Sequence, residues 1–124
     1  WFLPDKLEDF LSETDILIVA LPLIKETKGM LDYDKLKILG RESSLINVSR
    51  GEIIVEIDLV RALKDGTIKG AALDVFTREP LSSSSPFYDL DNVIVTPHIA
   101  GNLNLFVDKI QNDFISNIIS FYRI

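Results

Sequence analysis

Apolar and polar positions alternate along this chain in blocks that predict strands and helices in turn. Four short apolar runs are typical of strands covered on both faces, as in a parallel sheet. These runs are DILIVALP at 15–22, SSLINV at 43–48, GAALDV at 70–75 and NVIVTP at 92–97. Between them, apolar residues recur at steps of three or four, which is the spacing of helices with one buried face.

The helical spacing is found in four segments. They are PDKLEDFLSETD at 4–15, one or two turns within 27–39, residues 56–64, and an amphipathic helix of roughly 20 residues that runs from Leu103 to Phe121. Gly66 lies just past the third segment, where a left-handed residue is favoured. The stretch TREPLSSSSPFYDLD at 77–91 is predicted to be a surface loop, because serines and prolines dominate its centre.

Alternating strands and helices predict an α/β fold, with about four parallel strands in a doubly wound sheet and helices on its faces. Parallel strands bring their carboxyl ends to one edge, where open α/β sheets bind ligands. The residues that follow the strands are therefore candidates for a site. They are Arg50 after the second strand, Asp74 and then Glu79 after the third, and His98, the single histidine, after the fourth.

Composition limits which kinds of protein this can be. With 124 residues, 47% of them hydrophobic, the chain can bury one core. A formal net charge of −6 without a long basic run argues against a nucleic-acid partner. The longest apolar run, ILIVALPLI at 16–24, is about half of a membrane span, so no membrane partner is expected. The absence of cysteine excludes disulfides and thiolate sites, and a cytoplasmic protein is expected.

Each candidate residue has an ordinary structural explanation when it is taken alone. His98 could be a hydrogen-bonded histidine at a strand end, and Arg50 a surface cation. Asp74 could be exposed or cap a helix, and Glu79 could be a solvated loop carboxylate. Three successive strand ends that bring these residue types to one edge favour a shared chemical role instead.

Reduction of a ketone beside a carboxylate needs such a set of groups. A histidine kept protonated by a nearby glutamate supplies a proton near neutral pH. Arginine is always charged and binds a carboxylate through two parallel hydrogen bonds. No side chain donates a hydride, so a cofactor is required. A second carboxylate such as Asp74 is suited to accept hydrogen bonds from the amide group of a nicotinamide.

Three stretches of the sequence carry a family resemblance. ALPLIKETKGML, LINVSRGEIIVEIDLVRALKDGTIKGAALDVFTREPL and NVIVTPHIAG closely resemble, in order and spacing, the nucleotide-binding domain of the D-isomer-specific 2-hydroxyacid dehydrogenases. The resemblance implies a Rossmann-type fold and hydride transfer between a nicotinamide cofactor and a 2-oxo acid or D-2-hydroxy acid. The cofactor expected is NAD, with NADP left open, and a homodimer is expected by the same resemblance.

The resemblance also implies roles for individual residues. Arg50 resembles the arginine that binds substrate and polarises its carbonyl group. Glu79 resembles the glutamate that orients His98 and keeps it protonated, and His98 the acid that protonates the carbonyl oxygen. The residues that resemble the cofactor-binding set are Leu21, Pro22, Val48, Ser49, Asp74 and Gly101.

One part of the family pattern is missing from this sequence, because no G-x-G-x-x-G phosphate-binding turn occurs in it. Residues 1–124 therefore resemble the carboxyl-side half of the nucleotide-binding domain, with 102–124 as its terminal helix, and without the glycine-rich half or the substrate domain. By itself the chain is expected to be inactive. The outer edge of the first strand is expected to be covered by another chain, a rearranged segment or further residues.

Other functions fit parts of the pattern. Ser49, Asp74 and His98 stand in the chain order of an α/β-hydrolase triad, although Asn47 occupies a position where that fold requires glycine. A non-catalytic regulator or corepressor that senses NAD(H) could be built on the same fold. A metal enzyme is disfavoured, because one histidine and no cysteine leave only carboxylates as further ligands.

Overall fold

The computed structural model describes residues 4–101 and 104–122, which form four strands, four α-helices and three short 3-10 turns. The strands are β1 (Ile16–Val19), β2 (Ser44–Asn47), β3 (Gly70–Leu73) and β4 (Val93–Val95). The helices are α1 (Leu7–Ser12), α2 (Tyr33–Leu39), α3 (Glu56–Lys64) and α4 (Asn104–Tyr122). The 3-10 turns are Pro4–Lys6, Gly51–Ile53 and Pro86–Asp89. Positions 102, 103, 123 and 124 of the predicted terminal helix lie outside the described residues.

The four strands are parallel and lie in the sheet in chain order, β1-β2-β3-β4. Their register places Ile18, Ile46, Ala72 and Ile94 in one row across the sheet. Because all strands run in one direction, they end on the same side, which we call the carboxyl edge. The predicted parallel α/β sheet is therefore confirmed, and the loops that carry the candidate residues follow one another along this edge.

Local sequence signals explain where two of the helices begin or end. Asp32 precedes α2, and its side chain accepts a hydrogen bond from the Lys35 amide at 3.0 Å. Gly66 follows α3 with a φ of 71°, a left-handed conformation that costs glycine little because it has no Cβ. Both signals help to place short helices between the strands.

The core lies between one face of the sheet and the helices α1, α2 and α3. Side chains of a strand alternate between its two faces, so every second strand residue points into this core. The buried residues include Leu11 of α1, Leu36 and Leu39 of α2, Leu59 and Leu63 of α3, and Leu17, Val19, Leu45 and Leu73 of the strands. This core supports the sheet beneath the loops of the carboxyl edge.

The opposite face of the sheet is open. Ile16 and Ile18 of β1 are 59% and 60% exposed, and Ile94 of β4 is 68% exposed. The expectation that β1 is covered on both faces is therefore wrong for the described residues, because α1, α2 and α3 all pack on one side. No described strand pairs with the outer edge of β1. We expected this edge to be covered, but no strand within residues 4–101 pairs with it.

Helix α4 confirms the predicted terminal helix. Every residue from 110 to 121 is exposed, so the apolar side chains in this range do not pack into the core. Phe114, for example, is 64% exposed. Among the residues whose burial is described, two apolar surfaces are therefore uncovered, one on the sheet and one on this helix.

Candidate active site

Glu79 and His98 form a hydrogen-bonded pair at the carboxyl edge. The His98 Nδ1 atom lies 2.7 Å from the Glu79 Oε2 atom. Glu79 lies in the loop after β3, and its Oε1 atom accepts a hydrogen bond from the Phe76 amide at 3.0 Å. His98 lies in the turn after β4. Both carboxylate oxygens of Glu79 are therefore engaged, and one of them orients the imidazole.

The hydrogen bond from His98 is the main reason why the pKa of Glu79 lies below its ordinary value. The amide of Phe76 and the charges of His98 and Arg50 lower this pKa further, while burial opposes them. The ionised Glu79 engages Nδ1 of the imidazole, which leaves Nε2 free to face a ligand. The His98 side chain is 47% exposed, so a ligand can reach it.

Asp74 is a buried carboxylate that follows β3 directly and is only 4% exposed. Its Oδ1 atom accepts hydrogen bonds from the Thr96 hydroxyl and from the Ile99 amide, the latter at 2.9 Å. Its Oδ2 atom accepts one from the Ala100 amide, also at 2.9 Å. Burial alone would raise the pKa of Asp74, but these hydrogen bonds and the charge of His98 bring it below its ordinary value. Asp74 is thus ionised and bound to the turn that carries His98.

Asn47, the last residue of β2, shapes the turn that carries Arg50. Its side-chain oxygen accepts hydrogen bonds from the Ser49 amide at 3.1 Å and the Ser49 hydroxyl at 3.0 Å. Its side-chain nitrogen donates to the Arg50 carbonyl at 3.0 Å. Arg50 itself is exposed, and its guanidinium Nη1 donates to the Ser49 carbonyl at 2.6 Å. The turn therefore presents the arginine to solvent at the carboxyl edge.

Gly51 brings the turn after β2 against the loop after β3. A Cβ atom at this position would lie 2.0 Å from the carbonyl carbon of Phe76. Only a residue without a side chain allows this approach of two backbone segments. The close packing places Arg50 on the same side as Glu79, whose pKa its charge lowers.

The predicted cofactor-binding residues are also found along the carboxyl edge. Leu21 and Val48 are 44% and 41% exposed, and Pro22 is exposed as well. Ser49 is buried and its hydroxyl donates to Asn47. At Gly101 an added Cβ atom would meet nothing within 4 Å, so the described residues alone do not require glycine there.

An open cavity of about 850 Å³ adjoins the Glu79 and His98 pair. Its walls are mostly apolar and come from β4, the loop that precedes it and the turn that follows it. Besides Glu79 and His98, the lining includes Leu81, Tyr88, Val95 and Pro97. The imidazole thus lies at the boundary between the carboxyl edge and an apolar space.

A family comparison agrees with this arrangement. Residues 2–100 match the family model described as D-isomer specific 2-hydroxyacid dehydrogenase, NAD binding domain. This chain belongs to that family. The predicted resemblance is thereby confirmed, and it extends across the strands and loops that form the carboxyl edge.

Two curated members of the dehydrogenase family show how much of a whole protein this chain represents. It is 45% identical over 93 residues to a glyoxylate reductase of Pyrococcus horikoshii, a match that covers 75% of this chain and 28% of the relative. It is 44% identical over 93 residues to glyoxylate/hydroxypyruvate reductase B of Serratia proteamaculans, covering 75% of this chain and 29% of the relative. The chain thus spans less than a third of these relatives.

Solved dehydrogenase structures confirm the fold. An NADPH-dependent glyoxylate/hydroxypyruvate reductase from Sinorhizobium meliloti, in complex with NADP and sulfate, superposes with a TM-score of 0.83 at 36% identity. That match covers 96% of this chain and 40% of the other. A D-isomer specific 2-hydroxyacid dehydrogenase from Xanthobacter autotrophicus, in complex with NADPH and MES, gives 0.76 at 44% identity, covering 78% and 40%.

The bonding within this dehydrogenase chain does not form the triad of a hydrolase. Such a triad needs the serine hydroxyl bonded to the histidine. Here the Ser49 hydroxyl donates to Asn47, and the His98 Nδ1 atom is bonded to Glu79. The described geometry therefore gives no support to the alternative in which Ser49 is a nucleophile.

Three residues that support the candidate side chains were not among those predicted from the sequence. They are Asn47, Gly51 and Thr96, which bond or pack beneath the candidate side chains. Their signal lies in the N-x-x-R-G and T-P-H spacings, which place them beside Arg50 and His98. Hydrophobic periodicity does not reveal them, because they act within turns.

Two further observations concern other kinds of site. Over 4–101 and 104–122, no group of three or more histidine, cysteine, aspartate or glutamate side chains could hold a metal ion. None of the helices in these ranges combines the length and the apolar character that crossing a membrane requires.

Proposed function

We propose that the protein carrying this chain reduces a small 2-oxo acid to the D-2-hydroxy acid with NADH or NADPH. The observation that carries the proposal is the 2.7 Å pair of Glu79 and His98, with Arg50 on the same edge. The two curated relatives named above are a glyoxylate reductase and a glyoxylate/hydroxypyruvate reductase, which supports a small substrate such as these two oxo acids.

His98 is the proton donor in this proposal. As the carbonyl carbon of the substrate gains a hydride, negative charge develops on its oxygen, and the Nε2 proton of His98 moves to that oxygen. Glu79 stabilises the protonated imidazole before the transfer and keeps the ring oriented. The products are the 2-hydroxy acid and the neutral imidazole, which regains a proton from water.

Arg50 holds the substrate carboxylate and polarises the adjacent carbonyl group. Its guanidinium is exposed, permanently charged and planar, so it can bind a carboxylate through two hydrogen bonds. The Asn47 side chain supports the backbone from which Arg50 extends. Substrate binding to Arg50 would replace the internal hydrogen bond to the Ser49 carbonyl.

The nicotinamide end of the cofactor fits the carboxyl edge. Leu21, Pro22 and Val48 offer exposed apolar surface against which a planar ring can pack. Ser49, Asp74 and Gly101 complete the proposed binding set. Among the described residues, Asp74 Oδ2 accepts one hydrogen bond, and a carboxylate oxygen has a second acceptor position. When bound, the cofactor supplies the hydride that the chemistry requires.

The rest of the protein is needed for this reaction. The chain spans 28% and 29% of the two curated relatives, and it contains no glycine-rich phosphate-binding turn. We therefore propose that residues 1–124 are the carboxyl-side half of the nucleotide-binding domain and are inactive alone. A cytoplasmic location, expected from the absence of cysteine, and a homodimer, implied by the family resemblance, belong to the same proposal.

The test is turnover by the complete protein that carries this chain. Glyoxylate and hydroxypyruvate are offered with NADH and with NADPH, and oxidation of the cofactor is followed by its absorbance. His98→Asn and Arg50→Leu should each lower kcat/KM by about 10² to 10⁴. Arg41→Leu, an exposed arginine in the turn before β2, is the matched control and should leave the rate unchanged. Cofactor binding without turnover of any 2-oxo acid would instead indicate a regulator.

The pH profile tests the role of Glu79. Because Glu79 stabilises the protonated imidazole, Glu79→Gln should make reduction decline at a lower pH than in the wild type. An unchanged pH profile in this variant would show that the pair does not govern the proton transfer.

A further inference from the structure

The turn that carries His98 has a backbone conformation that few histidines adopt. His98 has a φ of 56°, and it is the one residue other than glycine with a positive φ in 4–101 and 104–122. In this left-handed region the Cβ atom approaches the neighbouring backbone, so the conformation persists only where surrounding contacts hold it. The contacts that hold the turn therefore decide where the imidazole lies.

The strongest of these contacts converge on one side chain. Ile99 and Ala100, the two residues after His98, both donate their backbone amides to Asp74 at 2.9 Å. Thr96, two residues before His98, donates its hydroxyl to the same carboxylate. Asp74 thus binds the turn on both sides of the strained residue, and all three bonds are strengthened by its charge.

Asp74 itself is well anchored. It follows β3, its backbone amide donates to the Asn47 carbonyl at 3.0 Å, and its side chain is buried. The carboxylate therefore links the turn after β4 to the sheet and fixes the turn relative to the strands. Glu79 does not perform this role, since it contacts the imidazole and not the backbone of the turn.

We infer that Asp74 is a positioning residue, which holds the backbone of His98 in its left-handed conformation and so keeps the imidazole against Glu79. The importance of this role for catalysis rests on the proposed function, whereas the role itself is a property of the folded chain. It is separate from the contact with a nicotinamide proposed above, because the three bonds join Asp74 to other residues of this chain.

The pKa of Glu79 reports whether the imidazole is in place. That pKa is lowered chiefly by the hydrogen bond from His98, so it should rise toward its ordinary value of 4.5 if the turn moves. The charged groups that act on Glu79 are His98 and Arg50. Loss of the negative charge of Asp74 would by itself ease the ionisation of Glu79 and lower its pKa. Positioning and simple charge effects therefore predict opposite signs.

The experiment is an NMR titration of the side-chain carboxyl carbon of Glu79 in the complete ¹³C,¹⁵N-labelled protein that carries this chain, without cofactor or substrate. Asp74→Asn should raise the pKa of Glu79. In a chain that also carries His98→Asn, the same substitution should leave this pKa unchanged. Asp91→Asn, which removes an exposed carboxylate, is the matched control and should leave the pKa unchanged. A pKa of Glu79 that falls or stays constant in Asp74→Asn would overturn the inference.

A measurement on the wild-type chain covers the case in which Asp74→Asn does not fold. The amides of Ile99 and Ala100 should exchange with solvent at least about tenfold more slowly than in an unstructured peptide. They should also show a coupling through the hydrogen bond to the carboxyl carbon of Asp74. Amides that exchange freely and show no coupling would refute the inference. Neither readout depends on turnover, so failure here is distinct from failure of the proposed reaction.

Discussion

Gly51 lies where the turn that carries Arg50 touches the loop that carries Glu79. An added Cβ atom would meet the carbonyl carbon of Phe76 at 2.0 Å, so the two backbones would have to separate. We expect Gly51→Ala to destabilise the chain by about 3 kcal/mol, at the upper end of the usual cost of overpacking. The measurement is urea unfolding followed by circular dichroism.

Two other glycines calibrate this result. Gly66 has a φ of 71° and open space around it, so Gly66→Ala should cost about 1 kcal/mol from backbone conformation alone. Gly101 has open space and no left-handed φ, so Gly101→Ala should stay within about 0.5 kcal/mol of the wild type. Equal costs at Gly51 and Gly101 would show that the close approach to Phe76 is absent in solution.

The residues that carry charge could be found from the sequence, and those that support them could not. His98, Glu79, Arg50 and Asp74 follow predicted strands, and parallel strands bring such residues to one edge. The bonds of Asp74 to two backbone amides depend on how a turn folds after β4. The hydrophobic periodicity of the sequence does not encode that geometry. The proposed role of Asp74 in positioning the turn of His98 is therefore apparent only from the structure.

At the level of elements, the loop from 77 to 91 differs most from its prediction. Its serines and prolines predict a surface loop, yet it contains a 3-10 turn whose Phe87 is only 2% exposed. The ring of Phe87 lies 5.9 Å from that of Phe76, measured between centroids. One buried apolar residue thus anchors a polar loop. The surrounding serines and prolines do not predict this anchor. The boundaries of α3 agree with prediction because its apolar face is continuous.

This anchor gives a prediction for the loop. Phe87→Ala should destabilise the chain by about 3 to 4 kcal/mol, because it removes a fully buried ring. The neighbouring Tyr88 is 55% exposed, so Tyr88→Ala is the matched control and should cost less than about 1 kcal/mol. Since the Phe76 amide binds Glu79, the Phe87 variant should also shift the NMR signal of that amide. Similar costs for both variants would mean that the loop is not anchored through Phe87.

For the whole molecule, the uncovered apolar surfaces matter most. The apolar run of β1 indicates burial on both faces, but a sequence pattern does not say which chain provides the cover. In the structure, Ile16, Ile18 and Ile94 remain exposed on the open face of the sheet, and α4 exposes a second apolar surface that includes Phe114. Folded proteins that work as monomers rarely leave such contiguous surface bare.

We therefore expect the isolated 124-residue chain to self-associate and to bind the dye ANS, because burial of the open sheet face lowers the free energy. The triple variant Ile16→Thr, Ile18→Thr and Ile94→Thr should reduce both effects with little loss of stability, since these side chains lie outside the core. Ile57→Thr on α3 is the matched control, because that isoleucine is 78% exposed but lies on no strand. Sedimentation velocity and dye fluorescence provide the measurements. A wild-type chain that sediments as a monomer and binds no dye would show that this face is covered in solution.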